Sequence, residues 1–158
     1  MKTTIAVLVL SLLAGCSAKK IPGTEIDDTD DTRIILSVME QYRKAVETRN
    51  AQTILDLSDP SFKDDGGSAA PEDDLEYSQL FTVLPARLSK MDDIKLEIAV
   101  RKIEVDKEVG TARATYTYNA SFKLPGLNSK AQSESEIKQM TFTLADKSKR
   151  LWKITSGI

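Results

Sequence analysis

Hydrophobic residues follow three successive rhythms along the chain. Residues 5–14 form an apolar run broken only by Ser11, and residues 17–31 are mostly polar. From Thr32 the apolar side chains return at Ile34, Ile35, Val38, Met39, Tyr42, Ala45 and Val46. Steps of one, three and four put these on one face of an α-helix, with Glu40, Arg43, Lys44, Glu47 and Arg49 largely on the other. Asn50 stops that helix. Ile54, Leu55 and Leu57 predict a short second helix, closed by Ser58-Asp59-Pro60. Residues 63–74 contain Gly and Pro and no apolar period, which predicts a loop. Leu80, Phe81, Leu84 and Leu88 then predict a third helix over residues 75–91, kinked or split at Pro85.

Beyond Ile94 the spacing becomes two. Ile94, Leu96, Ile98 and Val100 alternate with charged or small residues, and the phase then slips to Ile103 and Val105. That slip predicts a bulge near Arg101-Lys102. A turn at residues 106–110 leads into the cleanest alternation in the chain. Ala112, Ala114, Tyr116, Tyr118, Ala120, Phe122 and Leu124 share one face of a strand, against Arg113, Thr115, Thr117, Asn119, Ser121 and Lys123. After a turn at residues 125–129, a third strand over residues 132–144 points Met140, Phe142 and Leu144 inward, while its first half is polar. A last turn at residues 146–150 precedes a closing strand over residues 151–158, with Trp152 and Ile154 inward. Helices followed by an antiparallel meander make an α+β domain.

The start of the chain has a different character. Lys2 precedes an apolar run about as long as a signal-peptide core and well short of the roughly 20 residues that span a bilayer as a helix. Leu13-Ala14-Gly15-Cys16 resembles the bacterial lipobox. That resemblance implies cleavage before Cys16 and acylation of its thiol and amino group. Two or more acyl chains, at about 0.8 kcal/mol per buried methylene, anchor stably where one does not. Ser17 in place of an aspartate implies, by analogy with Gram-negative sorting, the outer membrane facing the periplasm. The organisation read from the sequence is therefore a signal peptide at 1–15, a lipidated Cys16 with a flexible tether to residue 31, and one domain at 32–158. Lys19 and Lys20 lie where they would meet anionic headgroups.

Composition narrows the chemistry. The chain has 22 basic and 24 acidic residues, a net charge of -2, one cysteine and no histidine. An acidic balance gives no general attraction for nucleic acid. Without histidine there is no Ser-His-Asp or Cys-His nucleophile and no His-ligated zinc. One cysteine makes no internal disulfide, and lipidation explains a lone thiol in an oxidising compartment. Asp27, Asp28, Asp30 and Asp31 lack the glycine and distal glutamate of a calcium loop, and read instead as a solvated run leading into a helix N-cap. No metal or cofactor is expected.

The order of elements resembles the NTF2-like superfamily, which includes the SnoaL-like cyclases. The resemblance is carried by residues 38–47 (Val-Met-Glu-Gln-Tyr-Arg-Lys-Ala-Val-Glu), the helix after Asn50, the 57–62 exit (Leu-Ser-Asp-Pro-Ser-Phe), the long 112–124 strand and Leu151-Trp152-Lys153-Ile154. It implies N-terminal helices packed against a bent, four-stranded antiparallel sheet as a cone, often with a pocket at one end. It also implies that an enzyme of this type would hold an acid inside that pocket. The well-defined inward positions carry none. Glu134 and Glu136 share the parity of Met140 and would point inward, with Tyr116 or Tyr118 as hydroxyl partner. Tyr116, Tyr118, Phe142 and Trp152 are candidates to line an apolar pocket, with ordinary core packing as their alternative role. The expectation is a membrane-anchored, non-catalytic module that binds a small apolar ligand or a protein partner. Two alternatives stay open. One is a Glu-Tyr enzyme of the isomerase, dehydratase or cyclase type. The other is an envelope-complex subunit pairing with a partner or a second copy through its sheet face.

Overall fold

A computed structural model describes residues 19–66, 74–125 and 130–158. Cys16, the lipobox, the middle of the 63–74 loop and most of the 125–129 turn lie outside the described residues. Folding starts earlier than Thr32. Lys20 bridges to Asp27, the Asp28 amide donates to the Lys19 carbonyl at 2.6 Å, and Ile26 is buried. The residues read as the end of a tether are therefore a small packed turn. Its lysines are drawn to Asp27 and Asp28.

Helix α1 (Asp30–Glu47) is capped by Thr29, whose hydroxyl accepts from the Thr32 amide while Thr32 accepts from the Thr29 amide. Asp30 and Asp31 occupy the first turn, where the positive end of the helix dipole favours them. The acidic run thus serves helix initiation. Helix α2 (Ala51–Leu57) is capped by the Asn50 side chain. Its exit is pinned by Asp59, whose amide donates to the Ile154 carbonyl at 2.8 Å.

The expected third helix is shorter than its apolar pattern. Leu75–Glu76 is a two-residue strand, β2, paired antiparallel with β1 (Lys63–Asp64), and helix α3 runs Tyr77–Ser89. It passes continuously through Pro85. Proline has no amide to donate to the carbonyl four residues earlier, and both Pro85 and Phe81 are exposed, so the missing bond falls on the solvent side of the helix. Phe81, expected inward, is 53% exposed and stacks edge-on against Tyr77 at 5.5 Å between centroids. Leu80, Leu84 and Leu88, spaced by four, fill the inner stripe and leave Phe81 beside it.

Strands β3 (Asp92–Asp106), β4 (Thr111–Lys123), β5 (Ala131–Asp146) and β6 (Leu151–Ser156) form one antiparallel sheet in sequence order. The register slips between Val100 and Lys102, at the bulge that the phase change predicts. Beside it, small and large side chains alternate across the strands: Ala114 lies between Ile103 and Met140, and Ala112 between Val105 and Phe142. α1 lies against β3 and reaches β6. Between helices and sheet sits one core containing Ile35, Met39, Tyr42, Ile54, Leu80, Tyr116, Met140, Phe142, Trp152 and Ile154.

One polar contact fixes α1 on the sheet. Glu47 Oε1 accepts from the buried Leu96 amide at 2.9 Å and Oε2 from Arg43 at 2.6 Å. Arg43 in turn donates to the Leu96 carbonyl at 3.3 Å. Glu47→Ala removes the acceptor of a buried N–H, so we expect a loss of about 1–3 kcal/mol in urea unfolding. Glu47→Gln keeps an acceptor and should lose clearly less.

Candidate functional site

An apolar cavity of about 520 Å³ opens between the three helices and the β4–β5 side of the sheet. Its walls are Tyr42 and Val46 of α1, Ile54 of α2, Leu84 and Leu88 of α3, and Tyr118 and Phe122 of β4, with Ile158 at the inner end. Arg87, Lys90, Glu134 and Lys138 also line it. The volume falls within the range of small-molecule sites, roughly 300–1,000 Å³. A larger cleft of about 710 Å³ lies on the other side of Ile158, bounded by Asp64, Arg113, Glu136, Gln139 and Ser156. Most of the residues that line it are charged or polar, and Ile158 is the large apolar side chain among them.

Three phenols stand at or beside the cavity, in different states. The Tyr116 hydroxyl donates to the Gly157 carbonyl at 3.0 Å. The hydroxyls of Tyr42 and Tyr118 make no hydrogen bond among the described residues. Burial pushes the Tyr42 and Tyr116 phenols well above their ordinary range. It raises that of Tyr118 too, with the charges of Glu134 and Glu136 adding to the effect. All three therefore remain protonated donors at neutral pH. The Lys138 ammonium stands over the Tyr118 ring, 4.3 Å from its centroid, and 3.6 Å from Glu136.

The structure separates the candidates that the strand parity grouped together. Tyr118 lines the cavity, whereas Tyr116 lies beneath it with its hydroxyl satisfied. Glu134 and Glu136 share the face of Tyr118, since Tyr118 pairs with Glu136 and Ala120 with Glu134. Both carboxylates are exposed, because they lie on the first half of β5, before the strand reaches the part that the helices cover. Glu134 reaches the cavity rim, and Glu136 faces the polar cleft. Phe142 and Trp152 do not line the cavity. They are fully buried deeper in the core, where the Trp152 indole N–H donates to Asp31 at 3.2 Å. Their inward parity is right, but their end of the sheet is the one covered by α1.

The order of helices followed by a four-stranded antiparallel meander matches known structures. A candidate dehydratase of the NTF2-like family from Streptomyces avermitilis superposes with a TM-score of 0.66 at 14% identity, covering 80% of this chain and 93% of that one. An NTF2-like superfamily protein from Salmonella enterica serovar Typhimurium gives 0.62 at 13%, with 80% and 87% covered. The fold is NTF2-like. A candidate aromatic ring hydroxylase from Novosphingobium aromaticivorans aligns with this NTF2-like cone at a TM-score of 0.65 and 16% identity, over 80% of this chain and 85% of that one. No protein-family model matches the sequence, and no curated protein matches it.

Several lining residues of the NTF2-like cavity were not singled out from the sequence. Tyr42 counted only as part of the apolar stripe of α1. Arg87, Lys90 and Lys138 carry no periodic or motif signal in the sequence that sets them apart from the other charged residues. Only the tertiary placement of α3 beside α1, α2 and β4 brings them together. Among the described residues no three His, Cys, Asp or Glu side chains are grouped to hold a metal ion, and no helix is long and apolar enough to cross a membrane.

Proposed function

We propose that this protein is a lipid-anchored envelope protein whose NTF2-like domain binds a small apolar ligand without transforming it. One observation carries the binding reading: an apolar cavity of about 520 Å³ lined by Tyr42 and Tyr118, whose hydroxyls have no hydrogen-bond partner among the described residues. Apolar walls supply affinity, and the two phenols supply a polar fix on the ligand. The anchor rests on the sequence of residues 1–16 and places the domain at a membrane surface, where sparingly soluble molecules concentrate. We assign the outer membrane, periplasmic side, on Ser17.

Two measurements test the two halves. Cys16→Ser should abolish acyl labelling and leave the signal uncleaved; unchanged processing in the variant, or no acyl labelling of the parent protein, would remove the anchor from the proposal. A neutral environment-sensitive dye, phenylnaphthylamine, should bind one site and brighten. Val46→Phe should fill the cavity and weaken that binding at least tenfold while the domain stays folded by circular dichroism. Binding that ignores the substitution would place the dye elsewhere.

A second reading is favoured by Glu134 and Tyr118 sharing the cavity, with the carboxylate acting on the phenol through space. It makes the domain an enzyme with Glu134 as base, in line with the dehydratase description of the Streptomyces neighbour. The exposure of Glu134 speaks against it, since a base poised for catalysis is normally held in a desolvated setting. The opposite face of the sheet lends little support to an apolar partner surface. Thr115, Thr117, Asn119 and Ser121 occupy it, with hydrogen bonds from Arg101 to Thr117 at 2.8 Å and from Ser135 to Asn119 at 2.6 Å.

A further inference from the structure

The charge of the cavity runs against that of the chain. Overall the protein is acidic, with 22 basic and 24 acidic residues, yet the cavity is lined by Arg87, Lys90 and Lys138 against Glu134 alone. Lys138 is partly engaged by Glu136 and by the Tyr118 ring. Neither Arg87 nor Lys90 has a carboxylate or a side-chain hydrogen-bond partner among the described residues; Lys95, Lys107, Arg113 and Lys147 are likewise unmatched there, but they do not line this cavity. Both sit at the C-terminal end of α3, one turn apart, on the rim that closes the apolar walls. The charge of Arg87 also reaches the buried Tyr42 phenol. Two unmatched cations and two free hydroxyl donors therefore border one apolar volume.

We propose that the ligand is an amphipathic anion, seated with its apolar body against Val46, Ile54, Leu84 and Leu88 and its acidic head at Arg87 and Lys90. This refinement rests on the ligand-binding reading above. A guanidinium presents a planar fork of N–H donors that matches an oxyanion, and hydrogen bonds to a charged acceptor are stronger than neutral ones. Tyr42 and Tyr118, protonated at neutral pH, donate but do not repel. Glu134 repels the head from the β5 rim and leaves the α3 side as its seat. A neutral apolar molecule would use the walls but leave these donors idle.

A matched pair of dyes separates the two claims. Phenylnaphthylamine is neutral, and anilinonaphthalene sulfonate carries the same aromatic body with one added sulfonate. Both are titrated into the processed chain that begins at residue 16, carrying Cys16→Ser, which lacks the acyl chains and the apolar run of residues 5–14 and needs no detergent. We expect the sulfonate to bind about tenfold more tightly at low salt. That advantage should shrink toward unity at about 0.5 M salt, because the rim charges are solvent-accessible and screened. In Arg87→Gln/Lys90→Gln the ratio of the two affinities should fall to about one or two. Equal affinities in the parent protein, or a ratio that the double substitution leaves unchanged, would overturn the anion assignment while the cavity stands. If neither dye binds, the ligand-binding reading fails with it.

Discussion

Trp152→Ala should destabilise the domain by about 3–5 kcal/mol, the range for removing a large buried aromatic side chain. The indole is 2% exposed and packs in the core between α1 and β6. Its N–H donates to Asp31 in the first turn of α1, so the ring ties the start of the helical layer to the last strand. A cavity left there cannot collapse easily, because the β5–β6 ladder holds the flanking backbone. At roughly 3–5 °C per kcal/mol for a domain of this size, the thermal midpoint should fall by 10 °C or more. Trp152→Phe keeps most of the apolar volume and loses only the bond to a half-exposed carboxylate, so it should cost about 1–2 kcal/mol. Trp152 is the single tryptophan of the chain, so the comparison must use circular dichroism. A loss below about 1.5 kcal/mol for the alanine variant would mean that the ring is not part of a close-packed core.

Gly157→Ala is the other substitution with a large expected effect. Gly157 has φ +89, a conformation that side chains disfavour, and an added Cβ would lie 2.0 Å from the Gln139 carbonyl oxygen and 2.8 Å from Met140 Cα. Both atoms belong to the β5 backbone, so they cannot swing aside as a side-chain tip would. The residue would have to leave β5. It would then give up the hydrogen bond from its amide to Asp64 at 2.5 Å and the one its carbonyl accepts from Tyr116 at 3.0 Å. Ile158, which walls the cavity, would be displaced with it. We expect a loss of about 2–4 kcal/mol together with altered dye binding. Gly23→Ala is the control. It has φ +77 and nothing within 4 Å of the added carbon, so it should cost only about 1–2 kcal/mol of backbone strain. Equal losses at the two positions would show that the clash with β5 is relieved cheaply.

These two residues also mark how far the sequence could be read. Trp152 was legible as inward from its alternation with Leu151 and Lys153, but the same parity suggested a pocket-lining role that its position under α1 denies. Gly157 read as part of a closing strand. β6 stops at Ser156, and the glycine is needed because the backbone there presses against β5, a long-range approach that no local pattern records. Phe81 and the β1–β2 pair show the same limit. A helical stripe of four candidates does not tell which one the sheet leaves uncovered, and two-residue strands have too few positions to show a period.

Periodicity alone marked the first two helices, the core of the third, the four long strands, the bulge after Val100 and the inward face of β4. Each of these follows from local geometry, 3.6 residues per helical turn and two per pleat, imposed on residues that must meet one core. The resemblance to a bacterial lipobox at Cys16 likewise belongs to the sequence. Tertiary structure decided the rest. It placed Glu134 and Glu136 in solvent, sank Phe142 and Trp152 in the core, and set Tyr42, Tyr118, Arg87 and Lys90 around one cavity. Parity tells which face a side chain takes, whereas burial and charge depend on what covers that face. On this sheet the helices cover one end and leave the other open.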